Sequence, residues 1–226
     1  MKLSVVVPML NEEGAIAATL NAIRTGAPAA EVIVVDGGST DRSVEVARSR
    51  CDHLIAGPRG RARQMNAGAA LASGDVVVFV HADTIVPTTF AADIELALDD
   101  SRIAGGRFDI AFDVRSPALD VVATMIGTRS RLMRSATGDQ AIFVRRGVFD
   151  HLGGYADIEL CEDVDFIRRM RRVGRLACLR TVVITSSRRW RRHGVVRTIV
   201  RMWIVKSLFL AGVSAQWLKR HYADTR

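Results

Sequence analysis

Four short apolar runs, each followed by a stretch with helical character, restrict the fold of this 226-residue chain more than any other feature. The runs read LSVVVP, VIVVD, HLIAG and VVVFV, at 3–8, 32–36, 53–57 and 76–80. The helical stretches cover about 14–24, 41–49, 60–71 and 88–99. Continuous apolar runs are typical of strands with helices on both sheet faces, and strand–helix alternation favours right-handed parallel connections. The first hundred residues therefore predict an α/β fold.

Longer elements follow in the second half of the chain. The pattern predicts strands at 102–114 and 141–146, helices at 117–133 and 163–173, and either a strand pair or one bent strand at 176–186. Since no repeat or linker separates the halves, we expect both to share one sheet. The predicted organisation is a domain at 1–194, with halves at about 1–110 and 111–194, and a helical extension at 195–226.

Charge and cysteine content narrow the classes of partner. The net charge is +8, and ten arginines lie between Arg168 and Arg192, which suits an anionic partner: nucleic acid, acidic lipid or a phosphorylated small molecule. The alternative is a solvated face in an arginine-rich proteome. The three cysteines include no CxxC pair, which favours a reducing compartment and argues against a disulfide scaffold. With no signal-peptide pattern at the start, we expect a cytoplasmic protein.

The segment 195–222 predicts a helix that does not cross a membrane. Arg197, Arg201 and Lys206 interrupt it, and the uncharged run that follows is shorter than the roughly 18–20 residues of a span. Most of its polar residues share one side, but Lys206 falls opposite them. Two alternatives remain open: packing against the domain or a second subunit, as in a homodimer, or binding an anionic membrane surface, with Trp203, Phe209 and Trp217 as anchors.

Polar side chains follow the predicted strands where ligands of such sheets bind, beyond the carboxyl ends. Asp36 ends the second strand and enters a glycine turn, where it could accept hydrogen bonds from a nucleoside. We favour that role because an acid after VIVV has little evident structural use. Arg59, Arg61 and Arg63 stand near a helix start and could hold phosphate oxygens.

Two acidic groups could carry chemistry. Asp83 follows the fourth strand and supplies the hard oxygen that a divalent cation on a diphosphate needs, whereas His81 suits manganese better than magnesium. Further on, Glu162, Asp163 and Asp165 cluster at a helix start. Acids are favourable in a first helical turn, so the cluster has a purely structural explanation. The alternative is a general base that accepts a proton from an acceptor hydroxyl.

Taken together, the motifs VVVPMLNEE, VVDGGSTD, GRARQMNAG, VHADT, GDQAIFVRR and ELCEDVDFIRRM resemble family 2 glycosyltransferases in order and spacing. The resemblance covers roughly residues 3–190, and the GRARQMNAGA form resembles a small bacterial branch called rSAM/selenodomain-associated transferase 2. It implies a GT-A (Rossmann-like) fold, with a mixed, mainly parallel sheet flanked by helices. It also implies a nucleotide-sugar-binding first half, an acceptor-binding second half and an inverting reaction.

The resemblance also implies roles for individual residues. Nucleotide-binding positions would be Pro8, Asn11, Glu12, Asp36, Arg61 and Gln64. Gly138, Asp139 and Gln140 would contact the transferred sugar or acceptor. Glu162, Arg189 and Trp190 would also bind substrate, the last two by closing over the diphosphate together with Arg188. Asp83 would carry the metal, with His193 as a second candidate ligand, and Asp163 would be the catalytic base. His81 stands where the family has the first acid of its DxD motif, and Ser186 replaces the Gln of QxxRW, which argues against processive synthesis.

The expected function is sugar transfer from a nucleotide-diphosphate sugar, a UDP-sugar in preference to a GDP-sugar, to an acceptor hydroxyl with Mn²⁺ or Mg²⁺ as cofactor. The acceptor is unknown, and a lipid-linked one is an option, as is a peripheral position on the inner face of the plasma membrane. The alternatives are a nucleotidyltransferase-like protein and a degenerate nucleotide-sugar-binding protein. We expect no nucleic-acid partner, because one would leave the acidic groups at the strand ends without a role.

Overall fold

The computed structural model describes residues 1–222, and one eight-stranded sheet runs through it. Its strands are β1 Leu3–Met9, β2 Glu31–Asp36, β3 His53–Ala56, β4 Val76–Phe79, β5 Thr84–Ile85, β6 Ile103–Phe112, β7 Ile142–Arg145 and β8 Arg175–Thr185. The helices are α1 Ile16–Gly26, α2 Ser43–Arg48, α3 Arg61–Leu71, α4 Phe90–Leu98, α5 Pro117–Met133, α6 Arg146–His151, α7 Glu162–Val173, α8 Arg188–His193, α9 Val195–Leu210 and α10 Ala215–Tyr222. A single 3₁₀ turn, Gly138–Gln140, precedes β7.

The strands lie in the order β3-β2-β1-β4-β7-β6-β8-β5. The first four of that order are parallel to one another. β7 runs antiparallel to both β4 and β6, β8 is parallel to β6, and β5 is antiparallel to β8. The predicted mixed, mainly parallel α/β sheet is confirmed. The parallel strands bring the carboxyl ends of β1, β2 and β4 to one edge, which is where the polar motifs fall.

Apolar side chains on both faces explain why these strands read as continuous hydrophobic runs. Val5 pairs with Val32 on one side and Val78 on the other, and none of the three is exposed to solvent. One face packs against α1, α4 and α5, and the opposite face packs against α3 and α7. Helices on both faces leave the ends of the strands as the accessible part of the sheet.

The structure adds three elements that the sequence pattern did not predict: β5, α6 and α8. Each has six residues or fewer, too short for a hydrophobic period to emerge. The region at 176–186 is one strand, β8, and its pairing with β6 shifts register between Arg107 and Asp109. The shift marks a β-bulge or similar irregularity, so this region is one irregular strand and not the alternative strand pair.

The predicted single tail helix is in fact two, α9 and α10, with Gly212 between them at a φ of 96° that favours glycine. Val205 and Leu218 are buried, so the tail packs on the rest of the chain, and the division at 194 stays a prediction. Trp203 and Trp217 are exposed, and a lipid contact there also stays a prediction. Within residues 1–222, no helix is both long enough and apolar enough to span a bilayer. The last four residues of the predicted extension lie outside the described part.

Candidate active site

The turn after β2 is organised by Asp36. Its carboxylate accepts hydrogen bonds from the backbone amides of Gly38 and Ser39, at 3.1 Å each, and from the Ser39 hydroxyl. The expectation that an acid here lacks a structural use is therefore wrong. Asn11, at the end of β1 with a φ of 54°, joins the same turn, since its side-chain oxygen accepts the amide of Thr40 at 2.8 Å. The turn holds two predicted nucleotide-binding residues at neighbouring strand ends.

Two other predicted nucleotide-binding residues are buried and have structural roles. Gln64 is buried on α3, and its amide nitrogen donates to the carbonyl oxygens of Met9 and Val35 at 2.9 and 2.8 Å. It thus ties the helix to the ends of β1 and β2. Pro8 lies inside β1, buried beside Val35 of β2. Both residues help to position the ends of β1 and β2 from within the protein interior.

Arg188, at the start of α8, bridges two predicted site residues. One of its terminal nitrogens lies 2.7 Å from the Glu12 carboxylate and 3.3 Å from that of Asp83. Burial raises the pKa of Glu12, against the lowering effect of the Arg188 hydrogen bond. Two carboxylates from separate strand ends are therefore held close together by one guanidinium group. Hard oxygen donors in this arrangement suit a divalent cation bound to phosphate oxygens.

Arg61, the first residue of α3, faces the acidic start of α7. Its guanidinium lies 3.7 Å from the carboxylate of Glu162, which is 3% exposed. Arg63 instead pairs with Asp157 at 2.6 Å, and Asp165 pairs with arginines of its own helix. Among these charged residues, Arg61 and Glu162 are therefore the two that connect the α3 and α7 helix starts.

Asp163 is the most strongly perturbed acid at this edge. Its carboxylate accepts the backbone amides of Gly138 and Val164, both at 2.7 Å. Burial, reinforced by the negative charge of Glu162, raises the pKa of Asp163 to about 6, while the two hydrogen bonds and Arg61 oppose the rise. A pKa close to neutral suits a group that takes up a proton and gives it back.

The turn at Gly138–Gln140 places a histidine beside this acid. A Cβ added at Gly138 would lie 2.7 Å from the His81 Nε2 and 3.7 Å from the Asp163 carboxylate. Asp139 is half-buried and accepts the hydroxyl of Thr137. Gln140 is fully buried and uses both ends of its amide on protein groups, so it supports the turn from below.

The residues of α8 divide between core and site. Trp190 is buried edge-on against Phe112, so it packs in the core, and its predicted substrate contact stays a prediction. Arg189 is half-buried, and its electrostatic neighbours include Arg61, Asp83, Asp139 and Asp163. His193 ends the helix. In the described residues, no group of three or more His, Cys, Asp or Glu side chains forms a ready metal site.

Sequence reasoning missed two cations at this site, Arg129 of α5 and Lys206 of α9. Arg129 interacts electrostatically with Asp139 and Asp163, and Lys206 with Arg129 and Asp163. Nothing in the local sequence of α5 marks Arg129. Lys206 did leave a signal, because it breaks the polar pattern of the tail by facing the apolar side. A charge on the buried side of a helix indicates a partner there.

Comparison with known proteins places this geometry in a family. A family model described as glycosyl transferase family 2 matches residues 4–144. The uncharacterized glycosyltransferase YibD of Escherichia coli is 32% identical over 107 residues, covering 44% of this chain and 31% of its own. The probable glycosyltransferase YdaM of Bacillus subtilis is 27% identical over 199 residues, covering 76% and 47%. The chain spans less than half the length of these curated relatives.

Solved structures share the fold. S. aureus TarS 1-349 in complex with UDP-GlcNAc has a TM-score of 0.65 at 19% identity, covering 82% of this chain and 58% of its own. The mannosyltransferase PcManGT of Pyrobaculum calidifontis, in complex with GDP-Man and Mn2+, has a TM-score of 0.67 at 21% identity, covering 86% and 61%. At these identities the likeness supports the GT-A fold alone.

Proposed function

The chain belongs to glycosyltransferase family 2, and we propose that it transfers a sugar from a nucleoside-diphosphate sugar to an acceptor hydroxyl with inversion. The observation that carries this proposal is Asp163, an acid with a pKa of about 6 at the strand-end edge of the sheet. It is held by two backbone amides and faces cations that suit a diphosphate. Such an arrangement suits an acid–base step next to a negatively charged leaving group.

For the donor, we assign the nucleoside to the turn formed by Asn11 and Asp36 and the diphosphate to Arg61 and Arg189. The turn is closed by its own hydrogen bonds, so backbone groups and the outer edges of these side chains would meet the base and ribose. The UDP-GlcNAc complex of TarS and the GDP-Man complex of PcManGT are compatible with either nucleotide. The preference for a UDP-sugar comes from the sequence resemblance.

A divalent cation fits the residues present. Asp83 would hold it, and Glu12 offers a second carboxylate that pairs with the same Arg188 guanidinium group. The role of His193 as a second ligand stays a prediction. When bound, Mn²⁺ or Mg²⁺ would neutralise charge on the diphosphate. Calorimetry should find that Asp83→Ala abolishes the Mn²⁺-dependent part of nucleotide affinity. Unchanged affinity in the presence of Mn²⁺ would rule out this assignment.

The proposed reaction is a single displacement. Asp163 takes the proton of the acceptor hydroxyl while its oxygen attacks the anomeric carbon. The bond from that carbon to the diphosphate oxygen breaks on the opposite face, and the nucleoside diphosphate leaves with the electron pair. Arg61 and Arg189 stabilise the charge that develops on the leaving group. Because attack and departure use opposite faces, the configuration at the anomeric carbon inverts.

The experiment begins with donor identity. Thermal shift with UDP, GDP and their sugars, with and without Mn²⁺, should find at least one nucleotide that raises Tm, because a ligand of the native state stabilises it. NMR of the product should show the anomeric configuration opposite to that of the donor. Release of a nucleoside diphosphate supports sugar transfer, whereas release of pyrophosphate would favour the nucleotidyltransferase alternative.

The role of Asp163 needs its own variant. Asp163→Asn should keep the donor-induced rise in Tm and lower turnover by about 10²–10⁴, the usual contribution of a general base. Asp150→Asn is the matched control, because Asp150 is an exposed carboxylate that pairs with Arg146 on α6. Near-normal turnover in the Asp163 variant would remove that residue from the mechanism.

A further inference from the structure

Within residues 1–222, no ion pair neutralises the charge of Arg129. Two of its guanidinium nitrogens, Nε and one terminal nitrogen, are buried without a hydrogen-bond partner in the described part of the chain. Burial lowers the pKa of Arg129, and the nearby carboxylates of Asp139 and Asp163 act on it through space. Buried donors without acceptors cost free energy, so such a site is usually completed by a ligand or water.

Lys206, on a different helix, lies close to Arg129 and Asp163. It lies on α9, half-buried, and makes no hydrogen bond or ion pair with any residue from 1 to 222. Burial lowers the pKa of Lys206, and the charge of Arg129 lowers it further. Two cations from separate helices are therefore close enough to repel each other, and neither forms an ion pair in the described part of the chain.

The fold holds both cations in place. The α9 helix is fixed by the burial of Val205, and α10 is tied to the loop before α7 by the ion pair between Lys219 and Glu159 at 2.5 Å. On the other side, Ile126 and Ser130 of α5 are buried, which anchors the helix turn that carries Arg129. Both helices are already packed in the native fold, and they hold these charges near each other.

The position of the pair separates it from the proposed diphosphate site. Arg189 has Arg61 and Asp83 among its electrostatic neighbours, as expected for a group at the donor. Arg129 shares Asp139 and Asp163 with Arg189, but its third neighbour is Arg107 and neither Arg61 nor Asp83 acts on it within residues 1–222. Lys206 likewise interacts with Asp163. Arg129 and Lys206 therefore lie on the side of the base, where the acceptor must stand to lose its proton.

We propose that Arg129 and Lys206 bind a phosphate group of the acceptor. This rests on the proposed sugar transfer and specifies its second substrate as a phosphorylated hydroxyl compound. A guanidinium and an ammonium group are the side chains that bind phosphate oxygens best, by charge-assisted hydrogen bonds. The bound phosphate completes the buried donors of Arg129 and offsets the repulsion between the two cations. It takes no part in bond making; the hydroxyl attacks and Asp163 receives its proton.

The first test measures phosphate binding without any turnover. Inorganic phosphate, exchanged against chloride at constant ionic strength, is titrated into the full chain alone and into the chain saturated with UDP, and Tm is followed. Phosphate should still raise Tm in the UDP-saturated protein, because UDP fills the donor site only. Arg129→Gln and Lys206→Ala should each weaken this response about tenfold while UDP affinity stays unchanged. Both variants remove a half-buried charge that lacks a direct partner, so folding should persist.

The control is Arg172→Ala, which removes an equal charge from an exposed position at the end of α7. It should leave both phosphate and UDP responses at the wild-type level. Equal phosphate responses in all variants would overturn the proposal, and so would a parallel loss of UDP affinity, since the cations would then serve the donor. Failure of every nucleotide to bind would instead count against the proposed function, because the phosphate titration of the chain alone would still report on this site.

A vesicle experiment separates the two sources of such a phosphate. If the acceptor is a lipid, the wild-type protein and Arg172→Ala should co-sediment with vesicles that contain phosphatidic acid, whereas Lys206→Ala should stay in the supernatant. Vesicles of phosphatidylcholine alone serve as the negative control. If the acceptor is water-soluble, the phosphate response should stand without any Lys206-dependent capture by vesicles. Both outcomes support the phosphate site, and they differ in the chemistry of the rest of the acceptor.

Discussion

Asp163→Asn should make the protein more stable at neutral pH while it removes the proposed base. The folded chain surrounds this carboxyl group with protein and places Glu162 beside it, and both effects disfavour the ionised form. Unfolding releases Asp163 into water, where its pKa returns to the ordinary value of 3.8. Above pH 6 the native state therefore carries an ionised carboxylate at a cost that the unfolded state does not pay.

The size of the effect follows from the pKa and the hydrogen bonds. A rise from 3.8 to about 6 corresponds to about 3 kcal/mol of unfolding free energy lost at pH 7.5. Asparagine has one oxygen, so it can keep only one of the two backbone amide hydrogen bonds, at a loss of about 1 kcal/mol. We expect a net gain of about 2 kcal/mol at pH 7.5. As the pH falls from about 6 towards 4, Asp163 becomes protonated in the native state and the gain disappears.

The assay is urea unfolding followed by tryptophan fluorescence at pH 7.5 and pH 4.5. The wild type and Asp163→Asn should differ by about 2 kcal/mol at the higher pH and by under about 1 kcal/mol at the lower. Asp150→Asn, an exposed carboxylate, should stay within about 0.5 kcal/mol of the wild type at both. A variant that is less stable at pH 7.5, or that differs equally at both pH values, would refute the account of a strained, desolvated base.

Three other predictions concern the site and the core. The rate at which nucleoside diphosphate is released during turnover should fall about tenfold from pH 7 to pH 5 as Asp163 is protonated. Glu162→Gln should move this decline to lower pH, because the negative charge that raises the pKa of Asp163 is gone. An unchanged midpoint in that variant would contradict the electrostatic interaction between Glu162 and Asp163. Gln64→Leu should lower the free energy of unfolding, measured with urea, by about 2–4 kcal/mol, since the carbonyl oxygens of Met9 and Val35 lose their hydrogen-bond donor. An unchanged free energy of unfolding would show that these two hydrogen bonds do not stabilise the fold. Gly105→Ala should lower the free energy of unfolding by about 3 kcal/mol, because the new Cβ would lie 2.3 Å from a β7 carbonyl oxygen. Gly147→Ala is the control: this glycine lies on a helix with open space around it, so the change should be neutral or stabilising. Equal effects of the two substitutions would argue against close packing at Gly105.

The sheet shows how far sequence patterns reach. The buried runs of β1, β2 and β4 were predicted from apolar residues alone, because strands covered on both faces must be apolar along their whole length. The antiparallel insertion of β7 between β4 and β6 was not, since strand order depends on contacts between residues far apart in sequence. The same limit applies to Gln64 and Trp190, whose residue types suit a binding site and whose surroundings place them in the protein interior.

The fold class, the family and the cluster of acids and arginines at the strand ends could all be predicted from the sequence, because they depend on local periodicity and on motifs in a fixed order. Which of these charges come into contact could be read from the packed structure alone. It put Glu12 and Asp83 on one guanidinium group, surrounded Asp163 closely enough to raise its pKa, and brought Lys206 of the tail to Arg129. Electrostatic interactions depend on distance and burial, and both arise when segments distant in sequence pack together.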